Sequence, residues 1–371
     1  MRCEVCIPDL RIDGPKLTDE RHLCDLSLNL DHHLFSITHT QQMFSTLLIH
    51  DCVVGDGART TSITLRPSPS FPGAVWFQQD RAQPAPATWG PKDPSNFDGT
   101  LELSLLERIS EGRIGVTYAA DVVSAVSHGG CDVRSTLPST LCLKFAKPEF
   151  SRSLAREAWF YEQMSSLQGI SVPLYFGFFT STAPDVAADF GFEPWMDRKV
   201  LFEDTDTIPD NIDQYPSADW LTDDVPENDD QEIYESPPSK LDSPWYKWNR
   251  DAAKPTISIL VLELLGEPCT GWKTKEDKLS IKEVMDDLAE LGVMHDNLTP
   301  WNTLAFKPSP HGEEARLCPR HNVVHPWRII DFDRSTMADP NNLNEYGRRM
   351  VTDTQYILDN IAMEFEFWAW Q

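Results

Sequence analysis

A long acidic segment in the middle of the chain most limits how this sequence can fold. It runs from about 183 to 250, includes the motif SPPS, and has no lysine or arginine from Leu201 to Ser239. A segment of this composition cannot offset the entropy lost on ordering by burying apolar surface. We therefore predict a disordered or loosely attached insertion, which serves either as a partner-binding loop or as a tolerated surface insertion.

Composition limits the remaining classes of protein and partner. The 371 residues are 40% hydrophobic, enough for the core of one or two domains. The formal net charge is −26, and such a surface repels phosphate backbones, so we expect no nucleic acid and no anionic membrane as partner. The charged start MRCEVCIPDLRIDG lacks the apolar stretch of a signal peptide, and no apolar run is long enough to cross a bilayer. We expect an intracellular protein, cytoplasmic or nuclear.

The eight cysteines are scattered, and in a reducing compartment we expect most of them to be free thiols. Cys3 and Cys6 have the spacing of half a zinc site, which Cys24 and a nearby histidine would have to complete. No second close pair accompanies them, so we favour two ordinary thiols near the terminus.

Two regions are predicted from the remaining sequence. Residues 1–100 form an N-terminal β-rich extension and a proline-rich linker, because HLFSITHT, STLLIHDCVVGDG and TTSITLRP are strand-like runs between turn residues. Residues 101–371 form the second region, which the acidic insertion of about 183–250 interrupts.

The second region begins with strands and a helix that carry charged groups. A β-hairpin is predicted over LELSLLERISEGRIGVTYAADVVSA, with Gly112 and Gly115 near its turn. The strand CLKFAKPE carries Lys144, and the helix SLAREAWFYEQMSSLQG carries Glu157 and Glu162. TISILVLELLG is a buried strand by its unbroken apolar run.

The later elements are a helix, a loop and a strand that ends in carboxylates. Ser280 is the expected N-cap of an amphipathic helix, with Glu283 at the capping-box position. The loop MHDNLTPWNTLAF and the strand RIIDFDRS follow, and TDTQYILDNIAMEFEFWAW is predicted to be a C-terminal helix. The apolar stripe of the amphipathic helix comprises Ile281, Val284, Met285, Leu288 and Leu291.

In order and context these pieces resemble the protein-kinase-like superfamily. The similarity is greatest to small fungal kinase-like proteins, in which a segment such as GVxHxDLxxxN is followed by IIDFDRS-like residues, and it covers about residues 101–371 without the acidic insertion. The resemblance implies an α+β, protein-kinase-like fold of two lobes with a reduced C-lobe. It also implies ATP and Mg²⁺ as ligands, with an unknown protein or small molecule as the substrate.

The resemblance assigns roles to individual residues around a triphosphate, whose charge must be neutralised for phosphoryl transfer. Lys144 would hold the α and β phosphates, and Glu157, with Glu162 as the competing choice, would orient that lysine. Asn302 and Asp331 would supply oxygen ligands to Mg²⁺. Two further pairs would contact the nucleotide through their main chain: Gly112 and Gly115 over the phosphates, and Glu263 and Leu265 at the adenine edge.

The chain departs from the family pattern at the catalytic base. In HDNLTPWN, Asn297 occupies the position of the usual aspartate, and Asp296 lies one residue earlier. An amide cannot accept the substrate proton as a carboxylate does. The segment KPSPHGEEARLCPRHNVVHPW, between Asn302 and Asp331, is also longer than the usual hairpin.

Three functions therefore remain open. The first is a phosphotransferase in which Asp296 or a water-mediated route replaces the base. The second is a pseudokinase that acts as an interaction or scaffold module. The third is a small-molecule kinase, which the short tail after Asp333 fits.

Overall fold

The computed structural model describes residues 44–54, 59–70, 90, 92–147, 150–182, 194, 256–269, 275–295, 298–308 and 315–337. All of these lie in one compact unit, Gln42–Gln371. The predicted acidic insertion, with the exception of Pro194, and the predicted C-terminal helix lie outside the described residues. So do Cys3, Cys6, Asp296 and Asn297.

Seven strands form a closed barrel in the order β1-β2-β6-β7-β5-β4-β3. Neighbouring strands are antiparallel, except that β1 pairs in parallel with β3 and so closes the barrel. The strands are β1 (Thr46–Val54), β2 (Arg59–Pro67), β3 (Thr100–Glu111), β4 (Gly115–Val126), β5 (Thr140–Ala146), β6 (Tyr175–Thr182) and β7 (Thr256–Glu263).

Side-chain alternation along each strand decides which residues fill the barrel. On β5, Leu141, Leu143 and Phe145 are fully buried in the interior core. Lys144 lies between Leu143 and Phe145 in the sequence, so its side chain is on the outer face. On β7 both faces are apolar, because the outer face is covered as well.

The outer face of the barrel at β6 and β7 is covered by helix α1 (Ser151–Gln163), and a second helix, α2 (Lys275–Glu290), packs in the same apolar cluster. They share a second core with the outer side chains of β7, which include Leu260 and Leu262. The predicted apolar stripe of α2 is confirmed, since four of its five residues are buried and Leu291 is partly buried. The predicted N-cap is wrong, because the helix begins at Lys275 and Ser280 lies inside it.

Four short strands complete the described part of the chain, paired as β8 with β11 and β9 with β10. Their bounds are β8 (Val293–Met294), β9 (Thr303–Ala305), β10 (Trp327–Ile329) and β11 (Thr336–Met337). Single 3₁₀ turns lie at Pro300–Asn302 and Phe332–Arg334. No helix in the described ranges is long and apolar enough to cross a membrane.

The prediction of an α+β, two-lobed protein-kinase-like fold is wrong. The described residues form a mostly β structure, a closed seven-stranded barrel with two α-helices, and they show no helical C-lobe. Strands β1 and β2, from the stretch assigned to an N-terminal extension, are part of the barrel. The physical reason is that hydrophobic periodicity gives the type of each element but not the partner of each strand, and the contacts that close this barrel join residues distant in sequence.

Candidate functional site

The charged residues predicted from the sequence meet outside the barrel, between β5 and α1. The Nζ atom of Lys144 donates to Glu157 Oε2 at 2.6 Å and to Asp331 Oδ1 at 2.6 Å. The exposed fractions of the side chains are 12% for Lys144, 1% for Glu157 and 27% for Asp331. The lysine therefore joins one fully buried carboxylate to one that remains accessible to solvent.

Helix α1 decides which glutamate reaches the lysine. Glu157 faces β5, and the Tyr161 hydroxyl one turn later lies 3.5 Å from its Oε1 atom. Glu162, the competing choice, accepts hydrogen bonds from Ser70 Oγ at 2.7 Å and from Tyr175 OH at 3.2 Å. The predicted pairing of Lys144 with Glu157 is confirmed.

Asp331 is held at the end of β10 in an unusual backbone conformation. Its φ of 70° and ψ of 57° are left-handed, which is uncommon outside glycine and is a form of strain often found at functional sites. The next residue, Phe332, is fully buried and packs against Phe160, Tyr161 and His295. Burial of this ring fixes the turn, so that Asp331 points to Lys144.

Asn302 lies beside the same turn. Its carbonyl oxygen accepts from the Ile330 amide at 3.0 Å, so Asn302 and Asp331 are on neighbouring segments. The residue is largely buried within the 3₁₀ turn Pro300–Asn302. The two residues expected to bind Mg²⁺ thus lie on backbone segments that are neighbours in space.

Asp333 and two arginines extend the charged group, and the sequence patterns did not single out these arginines. Asp333 pairs through its carboxylate with Arg113 and through its carbonyl oxygen with Arg156. Arg113 lies in the turn between β3 and β4, between the two predicted glycines. A basic residue at the tip of that turn was the signal that could have identified it.

The charges of the site shift several pKa values. Burial opposes the charge on Lys144, but Asp331 and Glu157 outweigh it and raise the pKa of that amine. Burial raises the pKa of Glu157 to about 7, an effect that Lys144 offsets only in part. Burial also favours the neutral form of Asp331, yet Lys144 prevails and lowers the pKa of Asp331.

The pKa values of the two carboxylates of the DFD motif, Asp331 and Asp333, shift in opposite directions. Burial and the negative charge of Asp331 raise the pKa of Asp333, whereas that of Asp331 is lowered. Divergent pKa values in a pair of neighbouring acids are typical of functional sites, although ion-pair networks produce them as well. Asp331 is the member suited to remain ionised and bind a cation.

The two predicted glycines occupy different environments in the turn between β3 and β4. A Cβ atom on Gly115 would lie 2.2 Å from the carbonyl oxygen of Phe145, so close strand packing alone requires glycine there. A Cβ atom on Gly112 would have no neighbour closer than 3.9 Å. The Gly112 amide donates to the Gly115 carbonyl at 2.8 Å and closes the turn.

The predicted adenine-contacting residues lie at the end of β7, with Glu263 as its last residue and Leu265 two residues later. Glu263 is buried, and its carboxylate accepts from the Leu174 amide at 3.1 Å, so its side chain is turned into the protein. Leu265 is half-buried, and the adjacent Gly266 amide donates to the Ala305 carbonyl at 2.8 Å. The Glu263 carboxylate is therefore engaged within the protein, and the predicted adenine contact depends on the main-chain groups of this segment.

The structure describes the residues on both sides of the predicted catalytic base. Asp296 and Asn297 lie outside the described residues, between His295 and Leu298. The buried His295 is fixed by a 2.7 Å contact from Nε2 to the carbonyl oxygen of Ile330, and burial lowers its pKa. His295, the last described residue before Asp296, is therefore bound to the residue that directly precedes Asp331.

Comparison with known proteins adds no relative. No protein-family model matches the chain, and no curated protein matches it.

Proposed function

We propose that the group formed by Lys144, Glu157, Asn302 and Asp331 binds the phosphates of ATP together with Mg²⁺. The observation that carries the proposal is the position of the Lys144 ammonium, 2.6 Å from both a buried and an accessible carboxylate. Glu157 keeps the lysine charged and in place. Asp331 can exchange its contact with Lys144 for a divalent cation, and Lys144 can then turn to a phosphate oxygen.

Charge and access at the site support this assignment. Mg²⁺ prefers carboxylate and amide oxygens, which Asp331 and Asn302 would supply. Arg113, at the tip of the turn between β3 and β4, provides a second cation close to Asp333. Two cations and a metal ion would offset part of the charge of a triphosphate, and such charge neutralisation is the main requirement of phosphoryl-transfer sites.

Transfer of the phosphoryl group is a separate step, and we propose weak phosphotransferase activity. Positioning and electrostatics supply much of the catalysis in such reactions, so an amide at the base position lowers the rate without abolishing it. Nucleotide binding without transfer, as in a pseudokinase, is the alternative that Asn297 favours. A protein and a small molecule remain the two classes of substrate.

Nucleotide binding is tested by the thermal shift of the full chain with ATP and Mg²⁺. A ligand at 100 times its Kd stabilises the folded protein by about 2.7 kcal/mol, so the melting temperature should rise by several degrees. The variant Asp331→Asn should lose the shift and keep the backbone, because asparagine also tolerates the left-handed conformation.

The matched control is Asp121→Asn on β4. This exposed residue accepts a hydrogen bond from Thr140 Oγ1, which asparagine can also accept, and the shift should persist. An unchanged melting temperature of the unsubstituted protein at millimolar ATP would sink the proposal.

The base is tested by turnover of ATP in three forms of the protein. Asn297→Asp should raise the rate, since it restores a carboxylate at the family position, and Asp296→Ala should abolish it if Asp296 is the substitute base. Equal rates for the unsubstituted protein and Asp296→Ala would remove Asp296 from the mechanism. No turnover in any form, with the ATP thermal shift retained, would favour the pseudokinase.

A further inference from the structure

Four side chains of metal-binding type converge away from the ATP site. Asp287 comes from α2, and Cys318, His321 and His325 come from the loop 315–326, in the sequence CPRHNVVH. One ligand atom of each residue lies within 4.8 Å of those of the other three. Asp287, Cys318 and His325 are buried, and the His321 side chain is 16% exposed.

Three separations between single ligand atoms of this cluster are close to the edge length of a tetrahedron around one ion, and all the separations are within 4.8 Å. Cys318 Sγ lies 3.4 Å from His321 Nδ1 and 3.4 Å from Asp287 Oδ2. Asp287 also lies 3.4 Å from His321 Nδ1, through Oδ1, and 3.1 Å from His325 Nε2, through Oδ2. Zinc–ligand bonds of about 2.0–2.3 Å in tetrahedral geometry require edges of roughly 3.3–3.6 Å.

Hydrogen bonds within the loop hold the cysteine and the first histidine close together. The Cys318 amide donates to the Val323 carbonyl and the Asn322 amide donates to the Cys318 carbonyl, each at 2.8 Å, so the loop turns tightly after Cys318. Asn322 adopts a left-handed φ of 55° within this turn. The cysteine and His321 are thereby held on the same side.

Surrounding groups orient the ligands in the manner of an outer coordination shell. Ser171 Oγ donates to Asp287 Oδ2 at 2.5 Å, and Glu283 Oε2 lies 3.6 Å from His325 Nδ1. That nitrogen is buried and has no hydrogen-bond partner among the described residues. A histidine that binds a metal through Nε2 commonly directs Nδ1–H to a carboxylate, as the position of Glu283 allows.

A metal centre would stabilise the loop 315–326, which buries little apolar surface. Its larger aliphatic side chains, Leu317, Val323 and Val324, are all exposed. The described part of this loop contains no helix or strand, and its buried members are polar or ionisable. Ordering a loop of this kind requires a compensating interaction.

We propose that Asp287, Cys318, His321 and His325 bind one structural Zn²⁺ ion that fastens the loop 315–326 to α2. A thiolate, two imidazoles and a carboxylate are ligands that zinc accepts. Four protein ligands fill the tetrahedron and leave no open position for water or substrate, so the role is structural. The site shares no residue with the proposed ATP site.

The metal content of the purified full chain tests the proposal. After equilibration with zinc and removal of free ions, mass spectrometry should find one zinc ion per chain. Cys318→Ser and His321→Ala should lose most of it, whereas Cys269→Ala, at a buried cysteine outside the cluster, should retain it. Loss in His321→Ala is the most informative, because this residue is the most exposed of the four and its truncation disturbs the core least.

Cobalt(II) gives a second readout that needs no variant. After chelation of the zinc, added Co²⁺ should produce the absorption of a tetrahedral ion and a thiolate charge-transfer band. Zinc well below one ion per chain, together with an octahedral cobalt spectrum, would overturn the proposal and leave only a hydrogen-bonded cluster. The ATP thermal shift of His321→Ala distinguishes the two sites, since it should persist even when zinc is lost.

Discussion

Glu157 shows how one residue can be both a structural and a titratable element of the site. It is almost fully buried, and among the described residues its one short contact with a positive charge is the one to Lys144, which Asp331 shares. The lysine therefore stabilises the ionised form of Glu157 only in part. The folded protein binds a proton at Glu157 more tightly than the unfolded chain does.

This difference predicts a pH dependence of stability. The pKa of Glu157 rises from 4.5 to about 7 on folding, so its contribution to the free energy of unfolding is complete below about pH 4.5. The contribution is lost as the pH rises through about 7. In chemical denaturation without nucleotide, the stability difference between the unsubstituted protein and Glu157→Gln should therefore decrease between about pH 5 and 8.

Glu111→Gln is the control for this measurement. Burial favours the neutral form of Glu111, but Lys147 and Arg108 outweigh it and lower its pKa. Its contribution is then already present above pH 4.5 and should stay constant over the same range. A difference for Glu157→Gln that is independent of pH would contradict the raised pKa.

The sequence could predict single residues of the site where a local pattern carried them. Lys144 stands alone in an apolar strand, and Glu157 lies in the helix that follows this strand, so their pairing could be predicted. For Arg113 the sequence offered a basic residue at the tip of a turn, but it did not offer the contact with Asp333, which joins residues 220 positions apart. The contacts of His321 and His325 with Asp287 could not be predicted either, because Asp287 lies on α2 and strands β8 and β9 come between in the sequence.

At the scale of elements, the two glycines of the turn between β3 and β4 have different expected roles. Gly115 is required by strand packing, and Gly112 is a candidate for contact with a ligand. Gly115→Ala should lower the free energy of unfolding by roughly 1–3 kcal/mol, because its Cβ atom would meet the backbone of β5. Gly112→Ala should leave the stability nearly unchanged and reduce the ATP thermal shift, if the amides of this turn approach phosphate. Chemical denaturation and thermal shift of both variants provide the check.

The opposite pattern would revise the role of the turn. A Gly112→Ala protein with an undiminished ATP shift would show that this glycine only closes the hairpin. Equal stability of Gly115→Ala and the unsubstituted protein would show that β4 and β5 separate more readily than their spacing suggests.

The sequence predicted the types of the elements better than it predicted their first and last residues. The hairpin, the lysine strand and both helices are present. The start of α2 was misplaced by six residues, because Ser280 and Glu283 have the pattern of a capping box inside a helix that begins at Lys275. A serine that fits a local capping pattern does not mark a helix start when tertiary packing extends the helix beyond it.

At the scale of the whole molecule, the two-lobed fold was predicted from the order of motifs, and order does not determine strand pairing. The barrel closes through the parallel register of β1 with β3, for example Leu47 beside Leu101. It also needs β2 against β6, where only Arg66 and Pro67 have paired partners. Contacts of such long sequence separation leave no periodic signal in a single chain.

Closure of the barrel also has a consequence for association between molecules. A sheet with two free edges offers unpaired amide and carbonyl groups to any other strand, and this is a common route to aggregation. In this barrel β1 and β3 satisfy each other, and β2 covers β6. A chain that began after residue 100 would lack β1 and β2, and β6 and β3 would become free edges of an open sheet. Strands β1 and β2 therefore protect the protein from uncontrolled strand addition.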